Sequence, residues 1–248
     1  MELQQRIEKN WTDGAVNYSN SVKGELGSIS MKQAWIDMIL AHAPHTGTLD
    51  ILDVGTGPGF FAIIMSLAGH RVTAVDCTEK MIEQARMNAQ HEGVQPSFHV
   101  SDGHQLDFAD ESLDLIISRN VTWTLIDAEK AYREWRRVLR PNGRVIIFDA
   151  NWNMRYFDEE YMRKHEEDKR EYEARFNKPA QHYTDEMHEY RKRMPMCSRL
   201  RPQWDFDTLM KIGYSKFYCE IDVTDKAWDE ESQVKFKSTP MFMLVAEK

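Results

Sequence analysis

Between residues 53 and 60 the chain reads Asp53-Val54-Gly55-Thr56-Gly57-Pro58-Gly59-Phe60, with glycine at three alternate positions. Glycines so spaced let the backbone take conformations closed to other residues and come close to a ligand. The free N–H groups of a helix beginning there favour an acceptor-rich ligand. The segment therefore reads as a cofactor-binding turn, with Asp53, Gly55, Thr56, Gly57 and Gly59 as candidate residues. Further on, Asp76 closes Arg71-Val72-Thr73-Ala74-Val75, and a carboxylate in that place can accept both hydroxyls of a ribose. Asp102, in Ser101-Asp102-Gly103, could accept from an adenine amino group.

Such residues need elements to hold them. Leu49, Ile51, Leu52 and Val54 form an apolar stretch of strand length ahead of the glycines, and Phe60, Ile63, Ile64 and Leu67 recur at helical spacing after them. Further strands are expected at 71–76, 97–100, 113–118 and 144–149, the last after a turn at Arg140-Pro141-Asn142-Gly143. Helices are expected from Thr78 and from about Asp127. This alternation implies a parallel sheet with crossover helices on both faces, which binds ligands at the carboxyl ends of its strands. A dinucleotide fingerprint would need glycine at the sixth position of the loop, where this chain has Phe60.

With these landmarks in order, the chain resembles the class I S-adenosylmethionine-dependent methyltransferases, and the resemblance covers most of it. It rests on the glycine loop, Asp76, Ser101-Asp102-Gly103 and Leu139-Arg140-Pro141-Asn142-Gly143. It implies S-adenosyl-L-methionine as cofactor and a doubly wound, Rossmann-like seven-stranded sheet, mostly parallel, with the last strand antiparallel. Cys77 and Met81 would flank the adenine, Asp102 and Gly103 would meet its edge, and Arg119 and Asn120 would hold the methionine portion. An N-terminal helix carrying Tyr18 would close over the cofactor. The expected division is a helical cap at 1–45, the cofactor-binding core at 46–150, an inserted helical lid at 151–201 and completion of the sheet at 202–248.

Composition narrows the acceptor. A net charge of −8 opposes the broad positive surface that nucleic-acid binding needs, so a small molecule is the expected substrate. Methylation of a protein or RNA, or cofactor binding without catalysis, is the alternative. Cys77, Cys197 and Cys219 are too scattered for a disulfide framework or a zinc motif. With no apolar leader or membrane-spanning run, a soluble cytoplasmic protein is expected.

Acceptor-side candidates are aromatic. Trp123 and Trp152 follow the fourth and fifth strands and could wall the pocket, and Tyr161 and Tyr183 lie in the aromatic stripes of the 151–201 segment. One stripe is Phe157, Tyr161, Tyr172 and Phe176; the other is Tyr183, Met187, Tyr190 and Met194. No general base is assigned among His104, His165, His182 and His188. His182, Glu186 and His188 lack a convincing ligand geometry, so no metal is expected.

Overall fold

The computed structural model describes residues 2–180 and 183–248, which leaves His182 outside the described residues. Two helices, α1 (Leu3–Gly27) and α2 (Ile29–Leu40), come first. Strand and helix then alternate through β1 (Asp50–Val54), α3 (Phe60–Leu67), β2 (Arg71–Asp76), α4 (Glu79–His91), β3 (Ser97–Val100), β4 (Leu113–Arg119), α5 (Ala128–Val138) and β5 (Leu139–Asp149). Next come α6 (Glu159–Phe176), α7 (Asp185–Lys192), α8 (Gln203–Ile212), β6 (Lys216–Glu220), α9 (Thr224–Ala227), α10 (Glu230–Lys235) and β7 (Phe242–Glu247).

The strands form one seven-stranded sheet in the order β3-β2-β1-β4-β5-β7-β6. Pairing is parallel from β3 to β5, and β7 is antiparallel to both β5 and β6. Strand order reverses between β1 and β4, and the loops leaving those two strands open a crevice at the carboxyl edge. The turn expected at 140–143 lies inside β5 as an irregularity. Leu139 pairs with Leu113, the register shifts, and Arg144 pairs with Leu115, with Asn142 left-handed at φ 66°.

Alternation along the strands builds a core on each face. Ile51, Leu115, Ile117, Ile146 and Phe148 point to one side, where Trp35 of α2 meets Phe60 and Phe61 of α3. Leu52, Val54, Ile116, Val145 and Ile147 point to the other, against Tyr132, Trp135 and Val138 of α5 and Leu209 of α8. Burial on both faces explains why these strands read as unbroken apolar runs.

The 151–201 segment is largely helical, as the pause in alternation suggests. Asp158 caps α6 by accepting from the N–H groups of Glu160 and Tyr161, and Thr184 caps α7 through Met187. The first aromatic stripe packs at its far end on α10 and its neighbours, where Tyr172 Oη donates to Glu231 (2.6 Å) and Asp168 accepts from Ser238 N (2.8 Å). Tyr190 and Met194 of the second stripe are buried with Ile7, Trp123 and Cys197. The cysteines are free, and among the described residues no helix is long and apolar enough to cross a membrane.

Candidate cofactor-binding site

The loop after β1 is held by its own carboxylate. Asp53 is buried and accepts from Thr56 Oγ1 (2.6 Å) and Ala62 N (3.0 Å), tying the turn to the first turn of α3. Burial pushes its pKa up to about 6, against the pull of those two hydrogen bonds. Gly55 and Thr56 both donate to Val75 O, which locks the loop onto β2.

Two glycines of the loop meet protein rather than open space. Gly55 has φ 69°, and a Cβ there would lie 2.3 Å from Val121 Cγ2. Gly59 has φ 92°, and a Cβ there would come within 3.0 Å of Ala85 Cβ, so this glycine serves the close approach of α3 and α4. Gly57 faces the crevice: its Cβ would fill the space before Tyr18 Cε1 at 3.4 Å and Met81 Sδ at 4.0 Å.

Asp76, at the end of β2, accepts from Gly57 N (3.0 Å) and from Thr78 N and Oγ1 (both 2.9 Å). Burial raises its pKa, and the Thr78 and Gly57 donors oppose that rise. A carboxylate has about four lone-pair sites, so it keeps acceptor capacity for a ribose. Asp102 Oδ1 lies 2.5 Å from His104 Nδ1, and His104 Nε2 accepts from Asp127 N at 3.2 Å. That network places the ring proton on Nδ1 and ties the loop after β3 to the cap of α5. The hydrogen bond from His104 holds the Asp102 carboxyl below its ordinary range.

At the end of β4, Arg119 is buried, with its guanidinium 2.9 Å from Glu25 Oε2 of α1 and stacked over Phe60 at 4.5 Å. Burial works against its charge, and Glu25, Tyr18 and Asp53 together more than offset this, so its pKa is raised. Asn120 sits in the left-handed region at φ 60°, and its Oδ1 is buried with no hydrogen-bond partner among the described residues.

These residues surround a cavity whose walls include Tyr18, Gly55, Gly57, Asp76, Cys77, Met81, Asp102, Gly103, Arg119 and Asn120. Asp53 and Thr56 border a smaller adjoining space, which they share with Tyr18, Gly55 and Arg119. The roof comes from α1 through Gln4, Ile7, Trp11 and Tyr18. Of these only Tyr18 was anticipated; the others sit a turn or so apart on one helical face, but nothing in their types names a ligand. Burial pushes the Cys77 thiol up to about 12, with the negative charge of Asp76 adding to it.

The four acceptor-side candidates lie outside the walls of this cavity. Trp123 is next to it, edge-on to Trp11 at 6.3 Å and donating through Nε1 to Asn120 O (3.0 Å). Trp152 packs against Trp228 and Phe236 and donates to Asp149 (2.8 Å). Tyr161 is half-buried near the start of α6, and Tyr183 lies under the guanidinium of Arg191, 4.0 Å from its ring centre.

One feature escaped the sequence altogether. Arg201 is buried and bonds Asp149 Oδ2 (2.8 Å), both Asp205 oxygens (2.8 Å each) and Thr122 Oγ1 (2.6 Å). Asp149 in turn accepts from Trp123 N, so the network braces the loop that follows β4. No local pattern announces it, because Arg201 and Asp149 are far apart in sequence.

An open α/β sheet with a glycine turn at its switch point and carboxylates after β2 and β3 defines a protein that binds a nucleoside-type cofactor. Residues 52–147 match the family model described as a methyltransferase domain. The chain is 36% identical over 111 residues to a malonyl-[acyl-carrier protein] O-methyltransferase of Erwinia pyrifoliae, a match covering 45% of this chain and 41% of that one. It is 32% identical over 163 residues to a ubiquinone/menaquinone biosynthesis C-methyltransferase of Rubrivivax gelatinosus, covering 63% and 61%. Across the first three curated relatives the chain spans about half of their length or less. Among solved structures it is similar to an S-adenosylmethionine-dependent methyltransferase from Mesorhizobium loti, with TM-score 0.59, 19% identity and coverage of 87% and 98%. It is also similar to Haemonchus contortus phosphoethanolamine N-methyltransferase 2 in complex with S-adenosyl-L-methionine, with TM-score 0.59, 16% identity and coverage of 87% and 52%. At these identities the structural likeness establishes the fold. Residues 52–147 thus match a methyltransferase domain, and one of the structures this fold resembles holds S-adenosyl-L-methionine.

The residues present fit that cofactor. Gly57 leaves a cradle that a Cβ would fill, Asp76 keeps an acceptor for a ribose, and the orphaned Asn120 Oδ1 awaits a donor such as an ammonium group.

Proposed function

We propose that this chain transfers a methyl group from S-adenosyl-L-methionine to a small-molecule acceptor. The enclosure of the cavity carries this reading. Helix α1 roofs the cavity, and the 151–201 helices stand beside it through Tyr190 packed on Trp123, an enclosure that suits a small acceptor better than a folded chain. The net charge of −8 agrees.

The bound sulfonium supplies an electrophilic methyl group. The chain's residues hold and desolvate the two reactants. Asp76 would take the ribose hydroxyls, Asp102 the edge of the adenine, and Cys77 and Met81 its faces, while Arg119, Asn120 and Tyr18 would hold the amino-acid end. His104 has both ring nitrogens engaged, and burial pushes the Cys77 thiol pKa up to about 12. Proximity and exclusion of water are what these residues contribute to the rate.

Calorimetry with S-adenosylhomocysteine tests the cofactor half. We expect saturable binding, weakened roughly 10- to 100-fold in Asp76→Asn, as losing hydrogen bonds to a charged acceptor implies. Transfer of labelled methyl across a panel of small acceptors tests the other half. Absence of binding overturns the reading, and binding with turnover only on protein or RNA overturns the small-molecule part.

A further inference from the structure

Most cations of the 151–201 segment are paired. Arg163 meets Glu167, Lys164 meets Glu160, Lys169 meets Glu166 and Lys192 meets Glu189. Among the described residues Arg155, Arg170, Arg191, Arg193 and Arg199 are in no ion pair, and of these Arg155 and Arg191 meet at one ring. Arg155 donates to Trp152 O (2.7 Å) and Tyr156 Oη (3.3 Å), Arg191 donates to Asn153 Oδ1 (3.2 Å), and all three acceptors are neutral. Among the described residues no carboxylate lies within ion-pair distance of either. Glu186 is paired with Arg6, and Asp149 and Asp205 with Arg201.

The two guanidiniums share one aromatic neighbour. Their central carbons lie 4.0 Å (Arg191) and 5.9 Å (Arg155) from the centre of the same ring, that of Tyr183. Unsatisfied donors gather there as well. Arg191 Nε and Asn153 Nδ2 are buried without partners among the described residues, and Asn153 is 1% exposed. Asn153 borders a small crevice, about the size of one water, walled by Trp123, Trp152 and Cys197. Stacking on Tyr183 accounts for the planes of the arginines, but a π face leaves these N–H groups unanswered. Buried donors without acceptors beside uncompensated positive charge call for an anion, and the guanidinium fork matches a carboxylate or phosphate. The place is suited to the reaction. Arg191 lies 5.9 Å from the centre of the Trp123 ring, whose indole N–H bonds Asn120 on the cofactor cavity wall.

We propose that the methyl acceptor carries a carboxylate or phosphate group, held between Arg155 and Arg191 with Asn153 as a further donor, while its nucleophile passes Trp123 towards the cofactor cavity. The proposal rests on the methyl-transfer reading for its use of the site, though not for the binding of the anion. It follows that neutral and cationic acceptors are discriminated against, because they leave the donors unmet.

The full chain, saturated with S-adenosylhomocysteine, is titrated with inorganic phosphate, with malonate and with neutral malonamide, following tryptophan fluorescence. Saturable change is expected with at least one anion and none with malonamide, and the preferred anion tells phosphate from carboxylate. Arg155→Met and Arg191→Met should each weaken that binding by about tenfold or more, with S-adenosylhomocysteine affinity unchanged. Arg193→Met, an exposed arginine of the same segment, should behave as wild type. If Arg191→Met does not fold, Arg155→Met, at a half-exposed side chain, decides alone. No saturation with either anion, or binding that survives the arginine substitutions, overturns the proposal. Anion binding as described with no methyl transfer to any acceptor would sink the transfer reading and leave the subsite standing.

Discussion

Replacing Arg201 with methionine isolates the buried ion network. The guanidinium and both carboxylates are essentially inaccessible, at 1% and 0% side-chain exposure. Burial opposes the charge of Arg201, and Asp205 and Asp149 more than compensate, holding its pKa well above the ordinary value. Removing one partner from such a group costs about 3–5 kcal/mol, because a buried charge is stranded. The stranding is uneven. Asp149 keeps Thr122 Oγ1, Trp123 N, Ala150 N and Trp152 Nε1 as donors, whereas Asp205 keeps Tyr132 Oη. Most of the loss should therefore sit on Asp205. At roughly 2–4 °C per kcal/mol for a chain of this size, Arg201→Met should lower Tm by about 6–20 °C. Adding Asp205→Leu should recover a large part of it, since the stranded charge leaves with the residue. Thermal unfolding followed by circular dichroism reads both. A loss below about 1 kcal/mol in the single variant, within the range of ordinary surface changes, or a double variant less stable than the single one, would refute the reasoning.

Asp53 should make stability fall with rising pH. Its folded pKa of about 6 lies above its ordinary 3.8, so the folded state holds the proton more tightly, and this contribution is lost as pH climbs from about 4 to about 6. The stability difference between wild type and Asp53→Asn, measured by urea unfolding, should shift against wild type by up to about 3 kcal/mol between pH 4 and pH 7; a difference independent of pH counts against it. The glycines should separate by function. Gly57→Ala should weaken S-adenosylhomocysteine binding by about tenfold or more with a modest change in Tm, since its Cβ enters the cavity at a cost of about 1 kcal/mol for the left-handed backbone. Gly59→Ala should lower Tm through the Ala85 contact while calorimetry finds the affinity of the folded protein unchanged, and the reverse pattern would show the two roles assigned the wrong way round.

The sheet and its cofactor edge were legible because their signals are local. β1, β2 and β4 are apolar runs that parallel burial demands, and a turn with φ of 69°, 51° and 92° at alternate positions admits little but glycine. Ten of the candidate residues line one cavity for this reason. The helix α2 carried no comparable mark. Its first turn has an exposed Ile29, and its anchor, Trp35, is identified by Phe60, Phe61 and Phe148, which come to it from elsewhere in the chain. α9 and α10 are too short for periodicity to declare them. Aromatic stripes are ambiguous in a specific way. Tyr172 and Tyr190 do follow helical spacing, but that spacing is equally what packing on α10 and on Trp123 requires.

The acceptor side resists sequence reading for a different physical reason: its distinguishing property is a mismatch rather than a motif. A charged helical segment looks solvated wherever each cation finds a carboxylate three or four residues away, as Arg163, Lys164, Lys169 and Lys192 do. Arg191 follows the same composition, yet its fork turns inward to Asn153 and the Tyr183 ring. Arg155 comes to that ring from the turn after β5. Only the folded chain shows that the nearby acids are already held, Glu186 by Arg6 of α1 and Asp149 by Arg201. The same long-range pairings that close the roof and brace the β4 loop thus leave Arg155 and Arg191 uncompensated. Acceptor charge preference and stability of the 151–201 helices are therefore coupled, since supplying either arginine with an internal carboxylate would quiet the site and add to the helix pairing at once.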